Sequence, residues 1–343
     1  MPGVVFVAGG LGDLGKLITE SILEIGQYEV YILSRRMPPD TMPSLAAQPQ
    51  AQIIQTDYSS EEAVAEVLVK YNCHTVICAF ALDFRAASDS QLRLIRAAER
   101  APCVKRFIPS EFNIDYDLPG HVLPYPDKRF HTIARRELEK TDLEFTYIYP
   151  GMLMDYFGMP NVSTHLRELH LFVDAANGVA LIPGDGEVKM ATSYTKDVAR
   201  YTALALELET WPLVMTTASS TVTLNELVKM VNRSRGRNLA VQHQSISALQ
   251  QRTDRRILPS NEHITEHFPG GVDQLSTLLA DLGSSVALGA YDFSKLKGEL
   301  NLVEHFSERT RPPMKLEKLL DIAWGGGEVG GQGDQGGAVA ARE

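Results

Sequence analysis

The sequence is poor in cysteine and has no long run of apolar residues. Three cysteines occur among 343 residues, and none of them has the C-x-x-C spacing of redox or zinc motifs, so we expect no metal site. Apolar runs are much shorter than the roughly 20 residues of a membrane-spanning helix. The chain opens on a strand pattern and not on the basic and apolar segments of a secretory signal. These absences predict a protein of the reducing cytoplasm, with no membrane partner.

Clusters of basic residues are absent as well. Lysine and arginine total 33 against 43 acidic residues, which gives a formal net charge of -10. No basic run is longer than a pair. Counterion release, which drives nonspecific binding to nucleic acids, requires an extended basic surface. We therefore expect no nucleic-acid partner.

The chain does have a glycine-rich turn between a strand pattern and a helix pattern at its start. Residues 4–8 are a continuous apolar run rich in β-branched side chains, as in a buried parallel strand. From Leu14 to Ile25, leucine and isoleucine recur at positions that share one face of a helix. The residues of the turn that we expect to bind a dinucleotide are Gly9, Gly10, Leu11, Gly12, Asp13, Leu14 and Gly15.

Each glycine of this turn has its own expected task. Gly9 permits a sharp exit from the strand, Gly12 lets a pyrophosphate approach the backbone, and Gly15 lets the helix pack close to the sheet. The helix N-terminus offers free N–H groups to the phosphates. A purely structural turn is the alternative, but a second strand follows at 28–33, as a dinucleotide-binding βαβ unit requires. Asp13 would repel a phosphate unless it points to solvent or caps the helix.

The end of the second strand indicates which nicotinamide dinucleotide binds. NAD sites place an aspartate or glutamate there for the ribose 2′-OH, whereas this chain has Ser34, Arg35 and Arg36. Paired guanidinium groups bind a phosphate in bidentate fashion. We therefore predict NADP(H) as the cofactor. The alternative is a pair of solvated surface arginines.

Strand and helix patterns alternate through the first half of the chain, which predicts an α/β fold with a doubly wound parallel sheet. We place an NADP-binding Rossmann domain at 1–155, joined by later strands and a helix from about 187–220. A smaller C-terminal substrate-binding lobe takes 156–186 and 221–323. Residues 324–343 are glycine-rich with few apolar side chains, which predicts a disordered tail.

Further cofactor contacts are expected at the carboxyl ends of the parallel strands, where such folds bind ligands. Asp57 follows the third strand and is placed to meet the adenine, although a helix-capping role is equally open. Phe80 follows the fourth strand and is placed to contact the cofactor, although an aromatic loop residue also packs structurally. The remaining expected contacts are Pro150 and Gly151, at the end of the sixth strand.

Local patterns predict two helix starts and one loop. Ser59 to Glu62 and Thr223 to Glu226 both have the S/T-x-x-E pattern of a capping box. The segment 37–49 contains four prolines and is expected to be a loop. The late strand over 143–149 is expected to be continuous.

Four segments have recognisable patterns, of which the one at 104–112 is the most specific and the glycine turn the least. They are GGLGDLGK at 9–16, VKRFIPSEF at 104–112, RRELE at 135–139 with the following FTY, and TKDVA at 195–199. Together they resemble the GGTGxxGK, VKRFxPSEF, RRxxE…YTY and T-x-D-[IV]-A patterns of NmrA-like and isoflavone reductase-like proteins, which are atypical short-chain dehydrogenases. The resemblance covers residues 3 to 320. It implies an NADP-binding Rossmann domain, a small substrate lobe and a role in secondary metabolism. In the plant reductases it further implies hydride transfer from NADPH to a phenylpropanoid-type substrate.

The resemblance also implies a catalytic lysine on the helix after the fifth strand, and this chain departs from the family there. Counting back from the paired arginines, the expected position is His131, and the nearest lysine, Lys128, lies about one turn earlier. Hydride transfer produces an oxyanion that must collect a proton. We therefore take His131 as the candidate catalytic acid, since an unperturbed histidine has a pKa of about 6.5.

Two other residues are candidates near this position. Lys128 is assigned to the nicotinamide ribose or a phosphate, or to the catalytic task itself if its pKa is lowered. Ser110, after the fifth strand, is placed to hydrogen-bond a substrate oxygen. The alternatives are a packed helical histidine at 131 and a serine that caps a turn at 110.

We predict an NADPH-dependent reductase of a small, aromatic or enone-type molecule. An apolar pocket for it could be lined by Met152, Met154, Tyr156 and Phe157, although such a run also suits a core. One alternative is an NADP-binding redox sensor of NmrA type, which acts on a regulatory protein partner without turnover. Another is a redox-neutral isomerase or cyclase on the same fold. A homodimer is an open expectation.

Overall fold

The computed structural model describes residues 3–36 and 51–325. The loop expected over 37–49 and nearly all of the expected tail lie outside these described residues. Within the described ranges, no helix is long and apolar enough to cross a membrane. The same ranges contain no group of three or more His, Cys, Asp or Glu side chains that could hold a metal ion.

A six-stranded parallel sheet forms the first half of the chain and confirms the predicted fold class. Its strands are β1 Gly3–Ala8, β2 Tyr28–Ser34, β3 Ala51–Gln55, β4 Thr75–Cys78, β5 Arg106–Ile108 and β6 Glu144–Phe145. Their spatial order is β3-β2-β1-β4-β5-β6. The order reverses between β1 and β4, and such a reversal is where open α/β sheets bind dinucleotides.

Helices cover both faces of this sheet. They are α1 Asp13–Ile25, α2 Glu61–Lys70, α3 Arg85–Arg100, α4 Lys128–Leu138 and, from later in the chain, α6 Thr195–Ala205. Val5 and Val7 of β1 pack in the core with α1 and α6. Phe6, between them, packs on the opposite face with α2, α3 and α4. The alternation follows from the two-residue period of a strand and explains why β1 is apolar throughout.

The strand expected over 143–149 is in fact broken, and this expectation is wrong at Thr146. The first piece is β6, which pairs with β5. The second piece, β7 Tyr147–Tyr149, pairs instead with β12 Val214–Thr216, which pairs in turn with β15 Leu300–Asn301. The amide of Tyr147 donates to the carbonyl of Leu213 at 2.9 Å. The chain therefore changes hydrogen-bonding partner at Thr146, and three parallel strands continue beyond β6.

The second half of the chain forms two smaller sheets, β14-β10-β9 and β13-β11-β8, over a separate apolar core. The strands are β8 Met152–Leu153, β9 Val173–Asp174, β10 Val179–Pro183, β11 Lys189–Ser193, β13 Ser220–Thr223 and β14 Ala240–Gln244. The helices are α5 Asp155–Gly158, α7 Leu224–Arg235, α8 Ile246–Gln250, α9 Gly271–Ala287, α10 Leu302–His305 and α11 Leu316–Trp324. Trp324 was expected to begin the tail, but it ends α11 and its indole Nε1 donates to the carbonyl of Phe157 at 2.9 Å.

One of the two expected capping boxes is confirmed. At α7, the amide of Glu226 donates to the Thr223 hydroxyl at 3.1 Å, and the Thr223 amide donates to the Glu226 carboxylate at 2.8 Å. At α2 the expected box is wrong in register, because Ser60 and not Ser59 caps the helix. The carboxylate of Asp57 accepts the amide of Ser59 at 2.8 Å, which places Ser59 in the preceding turn.

Candidate functional site

The glycine turn packs tightly against the ends of β1 and β4. Gly9 has a left-handed backbone with φ of +81°, and a Cβ on it would stand 2.7 Å from the carbonyl oxygen of Ala79. A Cβ on Gly15 would stand 2.2 Å from the carbonyl oxygen of Gly9. Gly10 is equally enclosed, because its Cβ would meet the Thr19 hydroxyl at 2.8 Å. Glycine at these three positions is therefore required by sterics.

The first turn of α1 is open where phosphates are expected. Gly12 is the N-cap, and within the described chain no side chain caps this helix. The first N–H groups of a helix have no acceptor within it, so those of the first turn remain for an anion. Asp13 is exposed at the first helical position, which is the solvent-facing alternative of the two. Leu11 and Leu14 flank it and are half-buried. The turn thus fits a pyrophosphate.

The end of β2 presents its two arginines to solvent. The Ser34 hydroxyl donates to the carbonyl of Arg36 at 2.7 Å and accepts its amide at 3.2 Å, which fixes a tight turn. Arg35 and Arg36 are both exposed. Their guanidinium groups are accessible to a 2′-phosphate at the edge of the sheet that also bears the glycine turn.

Asp57 and Phe80 follow β3 and β4 at the same edge. Asp57 is exposed, and hydrogen bonds from Ser59 lower the pKa of its carboxyl. It therefore stabilises the turn before α2 in this structure. The ring of Phe80 lies beside Gly9, with Cδ1 3.2 Å from the Cβ position of that glycine. It also meets the ring of Tyr58 edge-on, with centroids 5.2 Å apart.

Pro150 and Gly151 are fixed between the sheet and the lobe. Gly151 has φ of +73°, and a Cβ on it would stand 2.3 Å from the carbonyl oxygen of Ala191. Its amide donates to the carbonyl of Asn113 at 2.9 Å. The carbonyl of Pro150 accepts the Ser193 hydroxyl at 2.7 Å. This stretch therefore connects the loop after β5 with β11.

His131 is buried on α4, with 8 % of its surface exposed. Its Nδ1 lies 3.0 Å from the carbonyl oxygen of Ser110. Because a carbonyl only accepts, Nδ1 bears the hydrogen and Nε2 presents a lone pair. The ring stacks on Tyr116 with centroids 3.6 Å apart and planes 6° from parallel.

Burial lowers the pKa of His131 to about 3. The ring is therefore neutral at physiological pH and presents an acceptor at Nε2. The expectation of an acid with a pKa of about 6.5 does not hold for this environment, because desolvation disfavours the charged imidazolium.

Ser110 and Lys128 both use their polar groups inside the fold. The Ser110 hydroxyl donates to the carbonyl of Phe80 at 2.7 Å, and its amide donates to the side chain of Gln91 at 2.8 Å. The Lys128 amine donates to the carbonyl of Leu118 at 2.6 Å. These contacts hold the chain between β5 and α4 in place.

A continuous set of contacts connects the glycine turn with His131. The ring of Phe80 touches Gly9, the carbonyl of Phe80 accepts the Ser110 hydroxyl, and the carbonyl of Ser110 lies against Nδ1 of His131. Four predicted site residues from four segments of the chain are thereby brought to one edge of the sheet. That edge holds the carboxyl ends of the parallel strands, where ligands bind in such folds.

A buried ion pair under this edge was not predicted from the sequence. The Arg135 Nε lies 2.9 Å from both carboxylate oxygens of Glu111, and its Nη2 donates to the Tyr149 hydroxyl at 2.8 Å. Burial raises the pKa of Glu111 to about 7, while Arg135 acts in the opposite direction. The sequence signal for this ion pair was the pair of arginines at 135 and 136, which served above only as part of the family pattern.

A group of four tyrosines includes Tyr116, which stacks on His131, and its members were missed or assigned for another reason. Burial raises the pKa of each, so all four hydroxyls are protonated at neutral pH. They are Tyr116, Tyr125, Tyr156 and Tyr291. Only Tyr156 was among the expected pocket residues. Met152, Met154 and Phe157 belong to the core of the second half. Spacing could not reveal this group, because Tyr156 and Tyr291 lie far along the chain from Tyr116 and Tyr125.

Comparisons with known proteins identify a family model and several relatives that this chain resembles. The model of the NmrA-like family matches residues 1–273. The oxidoreductase BOA1 of Botryotinia fuckeliana is 34% identical over 207 residues, which are 60% of this chain and 67% of that protein. An isoflavone reductase homolog of Lupinus albus is 29% identical over 212 residues, 59% of this chain and 65% of its own.

Solved structures share the fold over nearly the whole chain. The binary complex of leucoanthocyanidin reductase with NADPH from Vitis vinifera has a TM-score of 0.69 at 20% identity, and covers 93% of this chain and 98% of that chain. The relatives' names agree with the enzyme class predicted from the sequence, and this neighbour holds the predicted cofactor. The family match extends over most of the chain and includes the glycine turn, the VKRFIPSEF segment and the paired arginines. The chain belongs to the NmrA-like family.

Proposed function

We propose that the chain is an NADPH-dependent reductase of a small, aromatic or enone-type molecule. The observation that supports this most is the set of contacts from Gly9 through Phe80 and Ser110 to His131. It joins a phosphate-binding turn and a buried acceptor at one edge of the sheet.

NADPH, when bound, supplies the hydride. In this proposal the glycine turn holds the pyrophosphate, and Arg35 with Arg36 holds the 2′-phosphate. The other expected contacts, at Asp57, Phe80, Lys128, Pro150 and Gly151, remain predictions. Asp57 and Lys128 would have to give up the contacts they make in this structure.

His131 orients the substrate in this proposal. Its neutral Nε2 accepts a hydrogen bond from a substrate hydroxyl and leaves the proton on the substrate, because burial disfavours the imidazolium. The hydride adds to the electrophilic carbon of the substrate double bond, the π electrons pass to the conjugated oxygen, and a proton from solvent completes the reduction. The rings of Tyr116, Tyr125, Tyr156 and Tyr291 favour an aromatic substrate, since aromatic pairs gain from offset or edge-on packing.

Cofactor choice can be tested by binding. NADPH and NADH are titrated against the protein, with the fluorescence of the nicotinamide as the readout. We expect the wild type to prefer NADPH at least tenfold, and the double variant Arg35→Gln/Arg36→Gln to lose that preference. Arg237→Gln, an exposed arginine beyond α7, is the matched control and should behave as the wild type. A wild type that binds NADH as tightly as NADPH contradicts the proposal.

Turnover separates the reductase from its main alternative. We expect a panel of enones, quinones and aromatic ethers to contain compounds that cause loss of NADPH absorbance. The NADP-binding sensor is favoured by one observation: Ser110 and Lys128 already use their donors inside the fold. Equal affinity for NADPH and NADP+ with no turnover on any compound would support the sensor. Conversion without loss of NADPH would support an isomerase.

The cellular setting follows the sequence and remains part of the proposal. Cys73, Cys78 and Cys103 are all free thiols, which suits the predicted cytoplasm. The homodimer also remains a prediction.

A further inference from the structure

Arg167 connects the two halves of the molecule beside the glycine turn. It lies between α5 and β9, and its Nη2 is 2.8 Å from a carboxylate oxygen of Asp83, which follows β4. The side chains of Arg167 and Asp83 are 73% and 41% exposed. An ion pair this exposed contributes little to stability, so Arg167 can exchange Asp83 for another anion at small cost.

Asp13 and Tyr156 lie close to this pair. Burial raises the pKa of Tyr156 to about 12, and the charges of Arg167, Asp13 and Asp83 all act on the same hydroxyl. The hydrogen bond with Asp83 is the chief cause that raises the pKa of Arg167, and the charge of Asp13 adds to it. One arginine of the lobe therefore pairs with Asp83 after β4 and lies within electrostatic reach of Asp13 at the start of α1.

Asp13 places a negative charge at the glycine turn, and the positive charge of Arg167 can compensate for it. Asp13 is exposed on the first turn of α1 and points to solvent, but its negative charge still reduces the attraction of this turn for a pyrophosphate. Lys16 is the single basic residue in the motif at 9–16, and it stands one turn further into the helix. A second cation from another segment would strengthen phosphate binding, and Arg167 lies within electrostatic reach of Asp13.

On the basis of the proposed NADPH-dependent function, we propose that Arg167 is a cofactor-binding residue supplied by the substrate lobe. It leaves Asp83 and pairs with the pyrophosphate held at the glycine turn. A guanidinium group binds two phosphate oxygens in bidentate fashion. This contact is at least as favourable as the exposed ion pair with Asp83 that it replaces. The exchange also draws the lobe toward the Rossmann half, so that cofactor binding and closure of the cleft are one event.

Four variants test this assignment in NADPH titrations on the full chain. Arg167→Gln removes the cation and should raise the Kd for NADPH about tenfold. Asp83→Asn removes the competing partner and should lower the Kd or leave it unchanged. Arg167→Lys keeps the charge without the fork and should fall between wild type and Arg167→Gln. Arg85→Gln, an arginine 88% exposed two residues beyond Asp83, is the control and should bind as the wild type.

Salt dependence adds a readout that a structural contact would not move. The Kd of the wild type should rise more steeply with salt than that of Arg167→Gln. Salt screens the pair between Arg167 and the phosphates in the wild type, and the variant lacks this pair. Equal weakening by Arg167→Gln and Asp83→Asn would overturn the assignment, since it would mean that only their mutual contact matters. An unchanged Kd in Arg167→Gln would overturn it too, even if the KM for a substrate rises. A wild type that does not bind NADPH would overturn the proposed function as well.

Discussion

His131 is uncharged because burial and the nearby charge of Arg135 outweigh its hydrogen bond to Ser110. Burial under Tyr116 removes the water that would solvate an imidazolium. Arg135, one turn further along α4, adds a like charge that lowers the pKa as well. The carbonyl of Ser110 acts in the other direction, but it is outweighed. The free protein therefore holds a neutral histidine at the position where the resemblance implies a lysine.

This burial predicts a loss of stability at mildly acidic pH. The folded-state pKa of His131, about 3, lies below the unfolded value of about 6.5. The unfolded chain therefore binds one more proton between these values, and the folded state is disfavoured as pH falls through 6.5. From pH 7 to pH 5 this group alone should cost about 2 kcal/mol of the free energy of unfolding. Urea unfolding at both pH values measures it.

Two variants isolate the contribution of the ring. In His131→Gln the side chain no longer titrates, so the free energy of unfolding should depend on pH less steeply than in the wild type. His165→Gln removes an exposed imidazole and should keep the wild-type slope. Parallel slopes for His131→Gln and wild type would show that the ring is already solvated.

The sequence located His131 but could not reveal its state. The spacing from Arg135 and Arg136 is a property of one helix, so it is readable along the chain. The pKa depends on Tyr116, Ser110 and the depth of burial, which are set by packing between separate segments. For the same reason, the donors of Ser110 and Lys128 looked available in the sequence, although the fold uses both.

At the level of one element, the glycine turn shows which features a local sequence pattern can predict. Its strand, turn and helix were all predicted, because a single βαβ unit determines them locally. Gly15 and Gly26 stand near the two ends of α1 and differ in what surrounds them. A Cβ on Gly15 would overlap the carbonyl oxygen of Gly9, whereas nothing lies within 4 Å of a Cβ on Gly26.

These surroundings predict opposite outcomes for two alanine variants. Gly15→Ala forces α1 away from β1 and should abolish NADPH binding together with much of the stability. Gly26→Ala has only the left-handed backbone to oppose it, with φ of +71°, and should cost about 1 kcal/mol. It should also retain NADPH binding. Urea unfolding and nicotinamide fluorescence measure the two effects, and similar values for both variants would contradict the close packing at Gly15.

The predicted element boundaries were wrong where hydrogen bonds to another residue or strand determine them. Residues 143–149 have a continuous strand pattern, but β12 takes over the hydrogen bonds from Tyr147 onward. Ser59 has the S-x-x-E pattern, but its amide donates to Asp57 in the preceding turn and Ser60 caps α2 instead. The box at Thr223 was predicted correctly, and both of its hydrogen bonds form.

At the scale of the whole molecule, the C-terminal quarter joins the two halves. Leu302 and Phe306 pack in the core beside the parallel sheet, although they fall in the range expected for the lobe. The chain then passes α6 beside the sheet, where the amide of Met314 donates to the Asp197 carboxylate at 2.6 Å, and continues into the lobe. Helix α11 follows and buries Leu320 completely. Contacts between segments this distant in sequence could not be read from local patterns.

This crossing predicts that the halves unfold together. Leu320→Ala should cost about 2–5 kcal/mol because it leaves a cavity in the lobe core. Ile322→Ala, on the same helix but 55% exposed, should change the free energy of unfolding by less than about 0.5 kcal/mol. The two tryptophans allow each half to be followed, since Trp211 lies in the core beside the sheet and Trp324 ends α11.

The decisive measurement compares urea midpoints in Trp211→Phe and Trp324→Phe backgrounds, each of which leaves one tryptophan as the probe. If the C-terminal crossing couples the halves, Leu320→Ala lowers the midpoint seen by Trp211 as much as the one seen by Trp324. A shift confined to Trp324 would mean that the lobe opens while the sheet stays folded. In that case the contacts at Asp197 and Leu302 would attach the lobe without transmitting its stability to the cofactor-binding half.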